Sequence, residues 1–209
     1  TATEAWQLQD LRNTLTSRAQ QALRFVASRG SDWLVSDGQN LWKVSSSGET
    51  SDYTDKVRSR GELQGMGSDG SSYLLAWNQA NSTAFSQMKS DGTWQDLSLR
   101  LNDRRIRSIH GLAGRYVIAS EERFTNSPSL PKTWTLTTWQ EGSNPETVSL
   151  PTGASSFVPG CTIDGYGGSV CASAGTLLPL NGEWYLLAGE AETRTRDGKT
   201  SQAAKAHMW

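Results

Sequence analysis

Gly30-Ser31-Asp32-Trp33-Leu34-Val35-Ser36 decides the fold, because the chain repeats it. The pattern is a glycine turn, an aromatic residue, two or three aliphatic residues and a small residue. It returns as Gly70-Ser71-Ser72-Tyr73-Leu74-Leu75-Ala76, as Gly114-Arg115-Tyr116-Val117-Ile118-Ala119 and as Gly182-Glu183-Trp184-Tyr185-Leu186-Leu187-Ala188. An apolar run precedes each turn: Leu23 to Ala27, Leu63 to Met66, Ile106 to Leu112 and Leu177 to Leu180. Two apolar runs joined by a glycine turn read as a β-hairpin. Hairpins returning at a step of about 40 residues are the signature of a repeat architecture. The last step is longer, because residues 151–175 are inserted before the fourth hairpin.

Working outward from the hairpins, each repeat divides into four strands. The first is expected to hold Leu23–Ser28, Asp32–Ser36, Leu41–Ser45 and Thr50–Val57, with Asp37-Gly38 and Ser46-Ser47-Gly48 as turns. The second holds Glu62–Gly67, Ser72–Trp77, Thr83–Lys89 and Thr93–Leu101, with a polar loop at 78–82. The third holds Ile106–Leu112, Arg115–Ser120, Thr133–Gln140 and Glu146–Leu150, with a proline-containing loop at 121–132. The fourth holds Thr176–Leu180 and Glu183–Ala188, then a charged loop at 189–200 and a last strand Ser201–Trp209, so it is one strand short. Ahead of the repeats, residues 4–22 read as a helix. Leu8, Leu11, Leu15, Ala19 and Ala22 recur at three- and four-residue steps, and Thr3 is placed to cap it.

Four antiparallel strands per unit over residues 23–209 resemble the blades of a β-propeller. The resemblance is one of architecture; no family motif accompanies it. It implies an all-β fold of about four blades, at 23–57, 62–101, 106–150 and 176–209, the last incomplete, with an inserted cysteine loop at 151–175 and an N-terminal helix within 1–22. It also implies an open ring. Remaining blades or another protein chain would complete it, pairing beside residues 201–209 and covering the face of the first or last blade; a small four-bladed ring is the alternative. Ser90-Asp91-Gly92-Thr93-Trp94 is similar to the Asp-box turn of sialidase-like propellers, a folding element there. A twisted β-sandwich built from the same hairpins is the rival architecture.

Composition narrows the function classes. Among 209 residues the formal net charge is -1, which gives no global field towards nucleic acid or an anionic membrane surface. No apolar run approaches the ~18 residues of a membrane span. The start, Thr1-Ala2-Thr3 without an initiator Met, is expected of a processed chain or a piece of a longer one. The two cysteines, Cys161 and Cys171, share one glycine-rich loop. A disulfide between them would stabilise the loop by roughly 2–3 kcal/mol and imply an extracytoplasmic setting: secreted, periplasmic or cell-surface. The alternative is two unrelated thiols. No metal is expected, since two thiols without a nearby histidine leave zinc under-coordinated.

Nothing in the sequence assembles a catalytic constellation or a cofactor site. His110 and His207 are the only histidines, and neither has a nucleophile or carboxylate at a suggestive spacing. Binding leaves more trace. Arg58 and Arg60 follow the last strand of repeat one, and Arg104, Arg105 and Arg107 follow that of repeat two. In a propeller both connections lie on one face, where the arginines would suit an acidic protein partner or an anionic glycan. The plainer reading, which the sequence favours, is solvated loop arginines paired with Glu62, Asp103 and their neighbours. Most tryptophans are expected to pack between blades. Trp77, beside Asn78-Gln79-Ala80-Asn81, is the candidate for stacking on a sugar. The expected function is a non-catalytic extracytoplasmic module for protein binding or assembly. The alternatives are a carbohydrate-binding propeller, or a fragment of a propeller enzyme whose active residues lie elsewhere.

Overall fold

The structure is a computed structural model that describes residues 23–122, 134–149, 161–163, 169–171, 176–180, 183–196 and 199–208. The helix expected at 4–22 lies outside them.

The described chain is mostly β. Sheet one is β1 (Phe25–Arg29), β2 (Asp32–Ser36), β3 (Leu41–Val44) and β4 (Thr50–Asp52). Sheet two is β5 (Leu63–Ser68), β6 (Tyr73–Gln79), β7 (Ser82–Met88) and β8 (Trp94–Asn102). Sheet three is β9 (Arg104–Leu112), β10 (Arg115–Glu122), β11 (Trp134–Gln140) and β12 (Glu146–Val148). A ribbon of β13 (Cys161–Ile163) and β14 (Ser169–Cys171) follows. Sheet four is β15 (Thr176–Leu180), β16 (Glu183–Arg196) and β17 (Lys199–Met208). Within each sheet every strand pairs antiparallel with its sequence neighbour. The first strands stand side by side: β1 beside β5, β5 beside β9, β9 beside β15.

Local chemistry explains the turns. Gly30, Gly70 and Gly114 sit at φ of 56°, 91° and 81°, which a side chain would resist. Asp37, Asp69 and Asp91 each turn a carboxylate oxygen back onto the backbone N–H two residues on, at 2.8 to 2.9 Å. The same chemistry shortens β4, which ends at Asp52 rather than running to Val57. Asp52 Oδ1 accepts from the Thr54 amide at 2.8 Å, and the Leu41 amide donates to Thr54 Oγ1 at 3.2 Å. These contacts turn the chain into a short helix, α1 (Thr54–Val57), which delivers Val57 to the core. Two expected loops are also corrected. The polar loop at 78–82 is a two-residue turn, Ala80-Asn81, with strand on both sides. The charged loop at 189–200 is largely strand, because β16 and β17 pair from Leu187↔Met208 to Arg196↔Lys199.

Sheet two is buried on both faces, so β6 reads as a continuous apolar run. Tyr73, Leu75 and Trp77 pack with Leu34, Leu41, Val57, Leu63 and Met66 towards sheet one. Leu74 and Ala76 pack with Ile106, Ile109, Tyr116 and Ile118 towards sheet three. The repeated aromatic residue forms the joint. Tyr73 Oη donates to the carbonyl of Asp32 at 3.1 Å, and Tyr116 Oη donates to the carbonyl of Ser72 at 3.0 Å. Asp32 and Ser72 occupy one place, immediately before the aromatic of the preceding repeat. Sheets two and three therefore each hook onto the sheet before at an equivalent atom. Beneath the joint between sheets two and three, the backbones of β5 and β9 approach closely. A Cβ on Gly67 would overlap the carbonyl of Ile109, and one on Gly111 would overlap the backbone of Ser68 and Asp69.

Candidate functional site

The starts of β1, β5 and β9 enclose a cleft of about 500 Å³ with the end of β6. Arg24 precedes β1, Glu62 precedes β5, and Arg105 and Arg107 lie two residues apart on β9, both lining the cleft. Phe25, Leu63 and Ile106 supply apolar wall. Gln64 spans the strands, its Oε1 accepting from the Ile106 amide at 3.2 Å.

The cationic groups are unequally satisfied. Arg24 pairs with Glu62 at 3.0 Å, both about half exposed, and its guanidinium lies 5.6 Å from the Phe25 ring centre. Arg107 reaches inward to Glu121 at 2.6 Å, where the carboxylate is fully buried. Such a pair is hard to break, since removing the cation strands a buried charge. Arg105 is exposed and makes no ion pair among the described residues. Asn78 adds a buried Oδ1 with no hydrogen-bond partner among them. Three guanidiniums thus face two carboxylates, with Arg105 in excess.

The other arginines go elsewhere. Arg58 lies 3.7 Å from Asp55, both well exposed. Arg60 pairs with Asp96, donates to the Lys56 carbonyl at 3.3 Å and covers the Trp94 ring at 5.9 Å. Burial lowers its pKa without discharging it. Arg104 opens β9, and its carbonyl accepts from Thr83 Oγ1 at 2.9 Å. The arginines therefore do not act as one cluster, and the cleft recruits Arg24, which lies before the first repeat turn.

Trp77 is not a surface platform. It is 3% exposed, and its Nε1 donates to Ser86 Oγ at 2.7 Å within the core. The period of two that buries Tyr73 and Leu75 buries Trp77 too, whatever polar residues follow it. Aromatic surface occurs instead at Trp33. Tyr73 and Tyr116, its equivalents, are 0% and 1% exposed, whereas Trp33 is 38% exposed and its neighbour Val26 is 61% exposed. Both lie on the face of sheet one turned away from sheet two. Val35, Trp42 and Val44 form a separate buried cluster there.

No family model and no curated protein matches this chain. His110 lies on β9, 6.2 Å from the Trp184 ring and roughly edge-on to it. Burial lowers its pKa and so favours the neutral ring. Cys161 and Cys171 face each other in register across the β13–β14 ribbon; their side chains lie outside the described residues, as does that of His207. Among the described residues no three metal-ligating side chains gather, and no helix is long and apolar enough to cross a membrane.

Proposed function

We propose that the chain is a non-catalytic, extracytoplasmic module of propeller type that binds or assembles with another protein. The observation that carries this reading is the contrast at one repeat position. Tyr73 and Tyr116 each close a joint with the preceding sheet, but Trp33 and Val26 remain exposed on the first sheet. Val35, Trp42 and Val44 on that face are already buried, so the surface left for a partner is the part around Trp33 and Val26. Antiparallel four-stranded units whose first strands stand side by side support the propeller reading. The unpaired Arg105 favours an acidic segment on the partner. The register of Cys161 and Cys171 supports a disulfide, since opposed α-carbons lie about 4.5–5.5 Å apart in such ladders, within disulfide reach. The oxidising setting follows from that bond.

A photo-crosslinking amino acid at position 33, activated in the producing cell, tests the reading. The expected result is one discrete intermolecular product, identified by mass spectrometry as a second copy or another protein. Crosslinks confined to the chain itself would remove the support for assembly.

A further inference from the structure

A second cleft, of about 440 Å³, lies between sheets two and three at the opposite ends of the strands from the arginines. Its lining includes Gln87, on β7, which is 3% exposed. The Gln87 amide is half satisfied. Its Nε2 donates to Ser72 Oγ at 2.9 Å, while its Oε1 has no hydrogen-bond partner among the described residues. A buried amide oxygen left in that state costs about 1–3 kcal/mol, so a partner entering the cleft gains by meeting it.

The charges around Gln87 are already spent. Lys89 and Glu141 pair across the cleft at 2.7 Å, joining sheet two to the end of sheet three. Asp69 Oδ1 accepts from the amides and hydroxyls of Ser71 and Ser72 at 2.7 to 3.3 Å. Burial raises the Asp69 pKa, but these hydrogen bonds outweigh it and hold the carboxyl below its ordinary value. A charged ligand would have to compete with pairs that already exist. A neutral hydroxyl would not, and because it both donates and accepts it satisfies the amide in either orientation. The Lys89–Glu141 pair then offers a donor and an acceptor side by side, the arrangement that two adjacent hydroxyls require.

We infer that this cleft is a binding site for one unit of a neutral, hydroxyl-rich ligand, a monosaccharide or the end of a glycan, with Gln87 as its buried anchor. The inference does not rest on the assembly reading, which concerns a different face.

Saturation-transfer NMR on the full chain tests it, with D-glucose, D-galactose, D-mannose and N-acetyl-D-glucosamine as separate probes. At least one sugar is expected to receive transfer. Gln87→Met, which keeps the length of the side chain and removes the amide, should abolish the signal. Glu141→Ala, on the exposed rim, should weaken binding several-fold with an unchanged melting temperature, which keeps the test valid if the Gln87 variant fails to fold. No transfer to any of the four sugars overturns the inference, as does a signal unchanged in Gln87→Met or in Glu141→Ala. Loss of the crosslink at position 33 with sugar binding intact would sink the assembly reading alone.

Discussion

Between sheets one and two, Tyr73 is enclosed by charge; between sheets two and three, Tyr116 is enclosed mainly by hydroxyls and an amide. Arg29 lies 5.0 Å from the Tyr73 ring centre, pairs with Asp32 at 3.2 Å and donates to the Lys89 carbonyl at 3.1 Å. Lys43 joins Asp32 at 2.8 Å. At the other joint, Ser72 Oγ shares a hydrogen bond with Tyr116 Oη at 2.8 Å, and Gln87 backs it. Burial pushes the Tyr73 hydroxyl up to about 12 and raises that of Tyr116 as well. The two joints keep the same tyrosine and the same acceptor carbonyl. What surrounds them differs, so the docking geometry does not depend on whether the shell is ionic or neutral.

The largest test of this contrast lies where sheets two and three meet without side chains between them. Gly67→Ala and Gly111→Ala each put a methyl group against backbone. Each is expected to lose about 3 kcal/mol in urea unfolding, the upper part of the overpacking range. Gly114→Ala has open space and only an unfavourable φ of 81°, and should lose about 1 kcal/mol. A Gly67 variant as stable as the wild type would show that the strands do not approach this closely.

The tyrosine hydroxyls give the next effect. Tyr116→Phe removes two hydrogen bonds to Ser72 at a buried joint and should cost about 1–3 kcal/mol, at about 0.5–1.5 kcal/mol for each. Tyr73→Phe loses one hydrogen bond in a part-buried setting and should cost about 0.5–1.5 kcal/mol. Equal losses would erase the distinction between the joints.

Acid gives the smallest and most selective effect. The hydrogen bond from Lys43 is the main cause holding the Asp32 carboxyl below its ordinary value of 3.8, with Arg29 assisting against the opposing effect of burial. A depressed folded pKa contributes stability that is present above 3.8 and is lost as pH falls through the folded value. Melting temperature measured from pH 5 down to pH 2 should therefore fall less steeply in Asp32→Asn than in the wild type. Asp69, whose carboxyl is also held low, keeps part of the acid slope in the variant. Parallel slopes would mean that Asp32 does not carry the ionic joint.

Much of this was legible in the sequence because glycine turns and period-two alternation leave local marks. Asp32–Ser36 and Thr176–Leu180 are strands with the bounds their sequences suggest. The failures have local causes too. Asp52 and Thr54 offered the backbone side-chain partners, and these ended β4 early. The charges of Ala191-Glu192-Thr193-Arg194-Thr195-Arg196 suggest a loop, although the stretch alternates with a period of two. Its register places Glu190 opposite Lys205, a pairing that a sequence does not announce until the partner strand is known. The arginine cleft was only half visible. Arg105 and Arg107 are close neighbours on one strand, but Arg24 joins them through the side-by-side placement of first strands, a contact between residues far apart in the chain.

The glycines of β5 and β9 also set how freely this sequence can drift. A Cβ at position 65 would press chiefly on the Ile106 side chain, whereas at 67 and 111 it meets main chain. A side chain can be trimmed by a second substitution, but a carbonyl cannot. In a library selected for folding, alanine at 65 should therefore survive when Ile106→Ala accompanies it. Positions 67 and 111 should find no such companion, and would remain glycine on every path by which the rest of the two strands is rewritten.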